Sequence, residues 1–278
     1  MEKRSVWDRL LAIDRRWLYL LLFANIVFFL LMNVQMPAQI TPPAQALYDH
    51  IENNLQEGDL VMVSSPWGPS TIAENGPQFQ AVIRHLMRKR LRFAIISFEA
   101  QARDISLKMA KEIAAEEGYR YGEDWVHFGF LPGAAIAVRG LSNDIAATVK
   151  TDVNGTPVVE LPLMQGVRNL NDFKFGLDIT ASATLKLAWL AFKPQSLTMG
   201  YCPTSVMAAD AYTYLDSKQI VGMITGAKGA QEYEELMGIE GGLGAKFANA
   251  ISFSHVLIII FIIIGNVAMA MARRQAGG

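Results

Sequence analysis

Charge is scarce in this chain, and in two stretches it is missing altogether. Of 278 residues only 18% are charged, against about a quarter in an ordinary soluble domain, while 51% are hydrophobic. Cysteine is nearly absent: the single Cys202 excludes an intramolecular disulfide and any metal site built on several thiolates. Neither sign of charge dominates. With 25 Lys and Arg against 26 Asp and Glu, the net charge is −1, which removes bulk charge as an argument for a nucleic-acid partner. No two histidines or carboxylates stand at metal-ligand spacing, so neither a metal nor a cofactor is expected. No GxGxxG fingerprint, Walker sequence or GxSxG elbow can be read, and no catalytic residue is assigned.

The missing charge has two addresses. Residues Trp17 to Met36 and Phe253 to Ala272 are each 20 residues long and hold no Asp, Glu, Lys or Arg. At a helical rise of about 1.5 Å per residue each spans about 30 Å, the thickness of a bilayer's hydrocarbon core, so both read as transmembrane helices. A secretory signal peptide is disfavoured for the first run by its length and by the want of a small-x-small site before Pro37. The tail before it, 1–16, contains a short amphipathic segment, Val6 to Leu11, suited to the membrane interface. Lys3, Arg4, Arg9, Arg15 and Arg16 precede the first run and Arg273 and Arg274 follow the second. The positive-inside rule then places both tails, 1–16 and 273–278, in the cytoplasm of a cell inner (plasma) membrane, and residues 37–252 outside it, in the periplasm if the cell is a Gram-negative bacterium.

Between the runs the periodicity changes to short β-rich segments alternating with helical ones, which is the α/β pattern. Helices are expected at Thr41 to Leu55, Phe79 to Arg90, Ala100 to Glu117, Asn143 to Lys150, Ala181 to Phe192, Thr204 to Leu215 and Ala230 to Met237. Strands are expected at Asp59 to Ser64, Arg92 to Phe98, Trp125 to Leu131, Phe173 to Ile179, Ser196 to Tyr201 and Gln219 to Ile224, with Pro157 to Leu163 extended. Parallel neighbours need helical crossovers, so five or six mostly parallel strands imply a three-layer α/β domain, flavodoxin-like or Rossmann-like, flanked by the two transmembrane helices.

Ligands of open α/β sheets sit beyond the carboxyl ends of strands, which draws attention to the loop after the first strand. Ser64, Ser65, Gly68, Ser70 and Thr71 there offer hydroxyls and one glycine, although Pro66 and Pro69 contribute no N–H. These are the ligand-binding candidates. Glu99 and Asp178 stand at other strand ends, and Cys202 reads as a small buried residue. Arg84, Arg88, Lys89 and Arg90 form the densest basic stretch, a solvated helix face or a contact for an acidic partner or lipid headgroups. Within the apolar runs, Asn25 and Asn266 are costly unless paired, so they are expected to make helix–helix contacts. The reading that follows is a non-catalytic scaffold or subunit of an oligomeric membrane complex, its partners the bilayer and copies of itself or other membrane subunits. The alternative is a membrane-tethered enzyme or ligand-binding domain using loop 64–71.

Overall fold

The computed structural model describes residues 5–32, 34 and 36–276. Lys3 and Arg4 of the basic tail, and Asn33 and Gln35 of the first apolar run, lie outside the described residues. The chain divides into two compact units, one of residues 1–36 and 246–278 and one of residues 37–245.

The smaller unit holds α1 (Val6–Leu11), α2 (Arg15–Leu31) and most of a long C-terminal helix running from Leu243 to Ala276. Ser5 caps α1 and Asp14 caps α2, each side chain accepting a first-turn N–H. Here the expectation of two flanking spans is corrected. The helix in the first run covers 17 residues and ends at Leu31, where Met32 turns extended, so it is shorter than the 20-residue run that suggested it. Among the described residues one helix is long and apolar enough to cross a membrane, the C-terminal one. Its side chains Val256, Ile259, Ile262, Ile263 and Val267 are exposed, so no protein core covers them. Within this unit the Phe29 and Phe253 rings stack at 4.4 Å, and Asn249 Nδ2 donates to the Val34 carbonyl at 2.9 Å.

The larger unit is a five-stranded, all-parallel sheet between two layers of helices. In chain order it runs α3 (Pro42–Asn54), β1 (Leu60–Ser64), α4 (Ile72–Arg88), β2 (Arg92–Ser97), α5 (Ala100–Glu117), β3 (Trp125–Phe130), α6 (Ala134–Asn143) and α7 (Ile145–Thr148). It continues through β4 (Phe175–Thr180), α8 (Leu190–Phe192), β5 (Thr198–Pro203), α9 (Ala208–Asp216) and α10 (Gly226–Leu236); the helix from Leu243 is α11. The strand order is β3-β2-β1-β4-β5. That is the Rossmann order and not the 2-1-3-4-5 order of flavodoxin, so the flavodoxin-like alternative falls. β1, in the middle, is buried at every residue, as its unbroken apolar run demands of a strand covered on both faces.

Alternation along the strands sorts the core into two layers. Val61, Val63, Phe93, Ile95, Phe175 and Leu177 pack with α3, α4, α5 and α10. Leu60, Met62, Ala94, Ile96, Met199 and Tyr201 pack on the other side with Val138 and Leu141 of α6, with Ala211 of α9 and with Trp189, just before α8. Two expected β segments are corrected. Residues 157–163 form 3-10 turns at Val158–Glu160 and Pro162–Met164, and 219–224 makes a single parallel bridge, Tyr201 to Met223, instead of a sixth strand. Expected helix Asn143 to Lys150 resolves into the end of α6 and the short α7.

Carboxylates of α10 hold the two ends of this unit. Glu232 accepts from Thr41 N (3.0 Å) and Thr41 Oγ1 (2.6 Å), satisfying the start of α3. Glu234, buried, accepts from Gly244 N (2.8 Å) and Ala245 N (3.0 Å), so it caps α11 from a neighbouring helix. The glycine-rich approach to α11 follows from this cap: a Cβ on Gly242 would lie 2.3 Å from the Glu234 carboxyl carbon, and one on Gly244 would lie 2.6 Å from Gln231 N.

Candidate functional site

In the order 3-2-1-4-5 the chain leaves the sheet in opposite directions after β1 and β4, and a crevice opens between their carboxyl ends. The structure has a cavity there of about 330 Å³. Its walls come from three strand-end loops: Pro66, Trp67, Gly68 and Ser70 after β1; Phe98, Glu99 and Gln101 after β2; Ala181, Ser182 and Thr184 after β4, with Ala134 of α6. Of the five loop residues expected to meet a ligand, Gly68 and Ser70 line the cavity. Ser64 and Ser65 are fully buried, and Thr71 turns its hydroxyl back to the Gly68 carbonyl at 3.3 Å.

The register of the sheet brings an acid to this end. Ser64 pairs with Asp178 across β1 and β4, and Asp178 pairs with Tyr201 across β5. In-register neighbours point to the same face, so the three side chains stand in one row. Asp178 is fully buried, and burial pushes its carboxyl up to about 7, against the opposing pull of the Ser64, Thr184 and Trp189 donors. Thr184 Oγ1 donates to Oδ2 at 2.8 Å, and the Ser64 hydroxyl and Trp189 indole N–H are the further donors that act on the carboxyl. Ser65 Oγ and Trp67 Nε1, in the turn after β1, are buried without a hydrogen-bond partner among the described residues. Each such atom costs about 1–3 kcal/mol, so this turn is held by the fold at a cost to stability.

The rest of the crevice is braced from α4. Asn75 Nδ2 reaches the Thr180 carbonyl at 3.2 Å, and Gln78 Nε2 reaches the carbonyls of Pro203 (2.9 Å) and Ile224 (3.1 Å), so buried amides tie the ends of β4 and β5 to one helix. Glu74 Oε2 accepts from both the amide and the hydroxyl of Ser205 at 2.6 Å.

The other sequence candidates lie elsewhere. Arg84 is paired with Glu116 (2.6 Å) and Glu117 (2.7 Å), Arg88 with Glu117 (3.2 Å) and Lys89 with Glu52 (3.3 Å), so three of the four basic residues face carboxylates of this chain. Arg90 stands in the left-handed region at φ 58°. Asn25 Nδ2 donates to Ser254 Oγ at 2.9 Å, joining α2 to α11. Asn266, twelve residues or about 18 Å further along α11, makes no side-chain hydrogen bond among the described residues. Cys202 is buried, and desolvation pushes its thiol up, which makes it inert.

No histidine belongs to the crevice walls. His85 lies between Tyr233 Oη (2.7 Å) and Glu52 Oε2 (3.1 Å) near the far end of α4. His127 accepts from Gly129 N at 2.9 Å through Nδ1, which leaves Nε2 to donate to Ser106 Oγ at 3.0 Å; burial lowers it to about 3, a neutral structural imidazole. Among the described residues no three His, Cys, Asp or Glu side chains converge to hold a metal ion. Trp67, Phe98, Gln101, Ser182 and Thr184 were invisible as site residues in the sequence. Their one signal is position, each directly after a strand.

No family model matches the chain, and no curated protein matches it. Among solved structures, the apo form of OtsA aligns over 90% of this chain and 48% of its own, at 11% identity and a TM-score of 0.33. AibC aligns over 77% of this chain and 51% of its own, at 10% identity and 0.32. An alpha,alpha-trehalose-phosphate synthase (UDP-forming) from Burkholderia vietnamiensis aligns over 86% and 50%, at 13% and 0.28. The chain thus spans about half the length of the structures it matches.

Proposed function

We propose that this chain is a membrane-anchored binding protein whose α/β domain takes a small ligand in the crevice between β1 and β4. The observation that carries the reading is the crevice itself, a cavity of about 330 Å³ walled by polar side chains from three strand ends at the place where the strand order reverses. Binding is favoured over hydrolysis because the loop serines have no histidine in the crevice walls to activate them. Gly68 supplies the test. Its φ of −130° is open to any residue, and a Cβ there meets nothing closer than 3.7 Å, so Gly68→Phe fills the cavity without straining the backbone. Native mass spectrometry of the whole chain is expected to find a small-molecule adduct on the wild type and none on Gly68→Phe. A wild type without an adduct, or an adduct that survives in the variant, refutes the reading.

A scaffold role is the second reading, favoured by apolar side chains left in solvent beyond the strand ends: Val206 is 90% exposed and Ile136 79%. In the same spectra it predicts a stoichiometric protein partner or a homo-oligomer.

The anchor we propose is α11, crossing the plasma membrane with the tail after it cytoplasmic and the α/β domain outside. Support comes from Arg273 and Arg274 after the apolar run, and Asp49 on α3 reads out the orientation. Asp49 is exposed, and Cys202 is buried and silent, so Asp49→Cys introduces one reactive thiol. It is expected to react with an impermeant maleimide in intact cells. Labelling only after lysis reverses the topology.

A further inference from the structure

We infer that the ligand of the crevice is an uncharged polyhydroxyl molecule, a free sugar or the sugar end of a glycoside; the inference rests on the crevice being a binding site. Three features of the walls converge on that class.

The first is charge. Among the described residues no Lys, Arg or His lines the cavity, and the one ionisable wall residue is Glu99. The Glu99 side chain makes no ion pair or hydrogen bond among the described residues. A phosphate or carboxylate entering here would meet a carboxylate and no compensating cation. Two helices, α4 and α5, begin at this rim, yet their partial charges do not replace the arginine or lysine that fixes an anion.

The second is hydrogen-bonding type. Ser70, Ser182 and Thr184 offer hydroxyls, Gln101 an amide and Glu99 a carboxylate. Hydroxyls and amides both donate and accept, and a carboxylate accepts from adjacent hydroxyls, so the set answers a ligand whose own groups do both.

The third is shape. Phe98 supplies apolar surface on which the C–H face of a sugar ring packs, while about 330 Å³ stands at the low end of small-molecule sites. It suits one or two pyranose rings and is too small for a dinucleotide.

The test uses the whole chain in a detergent without a sugar headgroup and reads tryptophan fluorescence. The probes are glucose, galactose, N-acetylglucosamine and maltose as neutral sugars, glucose 6-phosphate and glucuronate as anions, and choline as a cation. At least one neutral sugar is expected to give a saturable change with a Kd of about 1 mM or below. It should bind at least about tenfold more tightly than either anion or choline, a gap of about 1.4 kcal/mol. The change should vanish in Gly68→Phe and weaken in Phe98→Ala. Glu99→Lys should narrow or reverse the preference for neutral sugars over the anions. Tighter binding of an anion or of choline, or no response to any neutral sugar up to about 10 mM, overturns the inference. If the adduct seen in native spectra persists while neutral sugars fail, the ligand class is wrong and the site stands. If the adduct is also missing, the binding site itself is refuted.

Discussion

Asp178→Asn is expected to stabilise the protein at pH 8 by about 4 kcal/mol and to leave it nearly unchanged at pH 4. The folded carboxyl sits at about 7 against an ordinary 3.8, so the folded state holds its proton more tightly than the unfolded chain does. The sign follows from linkage. Between those two values the native state binds more protons, and stability falls as pH rises, by about 1.4 kcal/mol per pH unit. The favourable contribution of the protonated acid is complete below about pH 4 and gone above about pH 7. A difference of roughly three units gives the 4 kcal/mol. Asparagine keeps an oxygen to accept from Thr184 and removes the titration. Chemical unfolding of the whole chain at pH 4.5, 6 and 8, followed by fluorescence, measures the effect. A variant that is no more stable than wild type at pH 8, or that keeps the wild-type slope with pH, contradicts the assignment of the carboxyl to a dry, fully buried position.

This acid joins stability to the crevice. A fully buried carboxyl is a costly packing residue, and residues that cost stability concentrate where a protein binds or reacts. Asp178 reaches the cavity through one side chain, Thr184, whose hydroxyl both lines the wall and donates to Oδ2. If the binding reading holds, the protonation state of Asp178 sets which way that hydroxyl can point. The aspartate was visible in the sequence only as an acid near the end of a strand, and such acids are common. Its importance comes from the register that sets it beside Ser64, which no spacing along the chain encodes.

The sheet itself was readable because its strands are short apolar runs with turn residues at their ends. α5 could be bounded from its apolar spacing and from Gly118, which takes the left-handed conformation at φ 73° and closes the helix. α4 could not. Its first turns contain Gly76 and Pro77, residues of low helix propensity, and the expected start at Phe79 fell seven residues late. Pro77 forfeits a helical hydrogen bond, and the turn survives because the Asn75 and Gln78 amides are held by carbonyls of Thr180, Pro203 and Ile224, contacts more than 100 residues away in sequence. α6 was missed for a related reason. Its ten residues include Gly140, where a Cβ would lie 2.6 Å from Thr148 Oγ1, so a glycine that looks like a break is there for the close approach of the 148 side chain. The 64–71 loop was legible as a place because topology predicts where crevices form; its partners from the β2 and β4 loops were not, since only folding brings them together.

Gly222→Ala is expected to be the most damaging single-atom change outside the crevice. Gly222 lies in the segment that follows α9 and bridges to β5, where its carbonyl accepts from Tyr201 N at 3.2 Å. A Cβ there would sit 2.3 Å from Leu47 N, 2.7 Å from Leu47 Cα and 2.8 Å from Pro43 O, all backbone atoms of α3. No rotamer change relieves an overlap with backbone, so the helix or the segment must move. α3 is poorly placed to do so: Met223 N donates to Pro43 O at 3.0 Å, Glu232 holds Thr41, and Leu47 is fully buried. Overpacking of this kind costs about 3 kcal/mol, enough to lower Tm by about 6–12 °C in a domain of this size. Gly58→Ala is the comparison that separates overlap from backbone strain. Gly58 has φ 86° with nothing within 4 Å of a Cβ, so alanine there meets only the conformational penalty of about 1 kcal/mol. Thermal unfolding of the two variants should therefore rank Gly222→Ala well below Gly58→Ala, with wild type highest. Equal losses in the two would mean that α3 yields, and that the close approach of residue 222 to the helix does not hold the edge of the sheet in place.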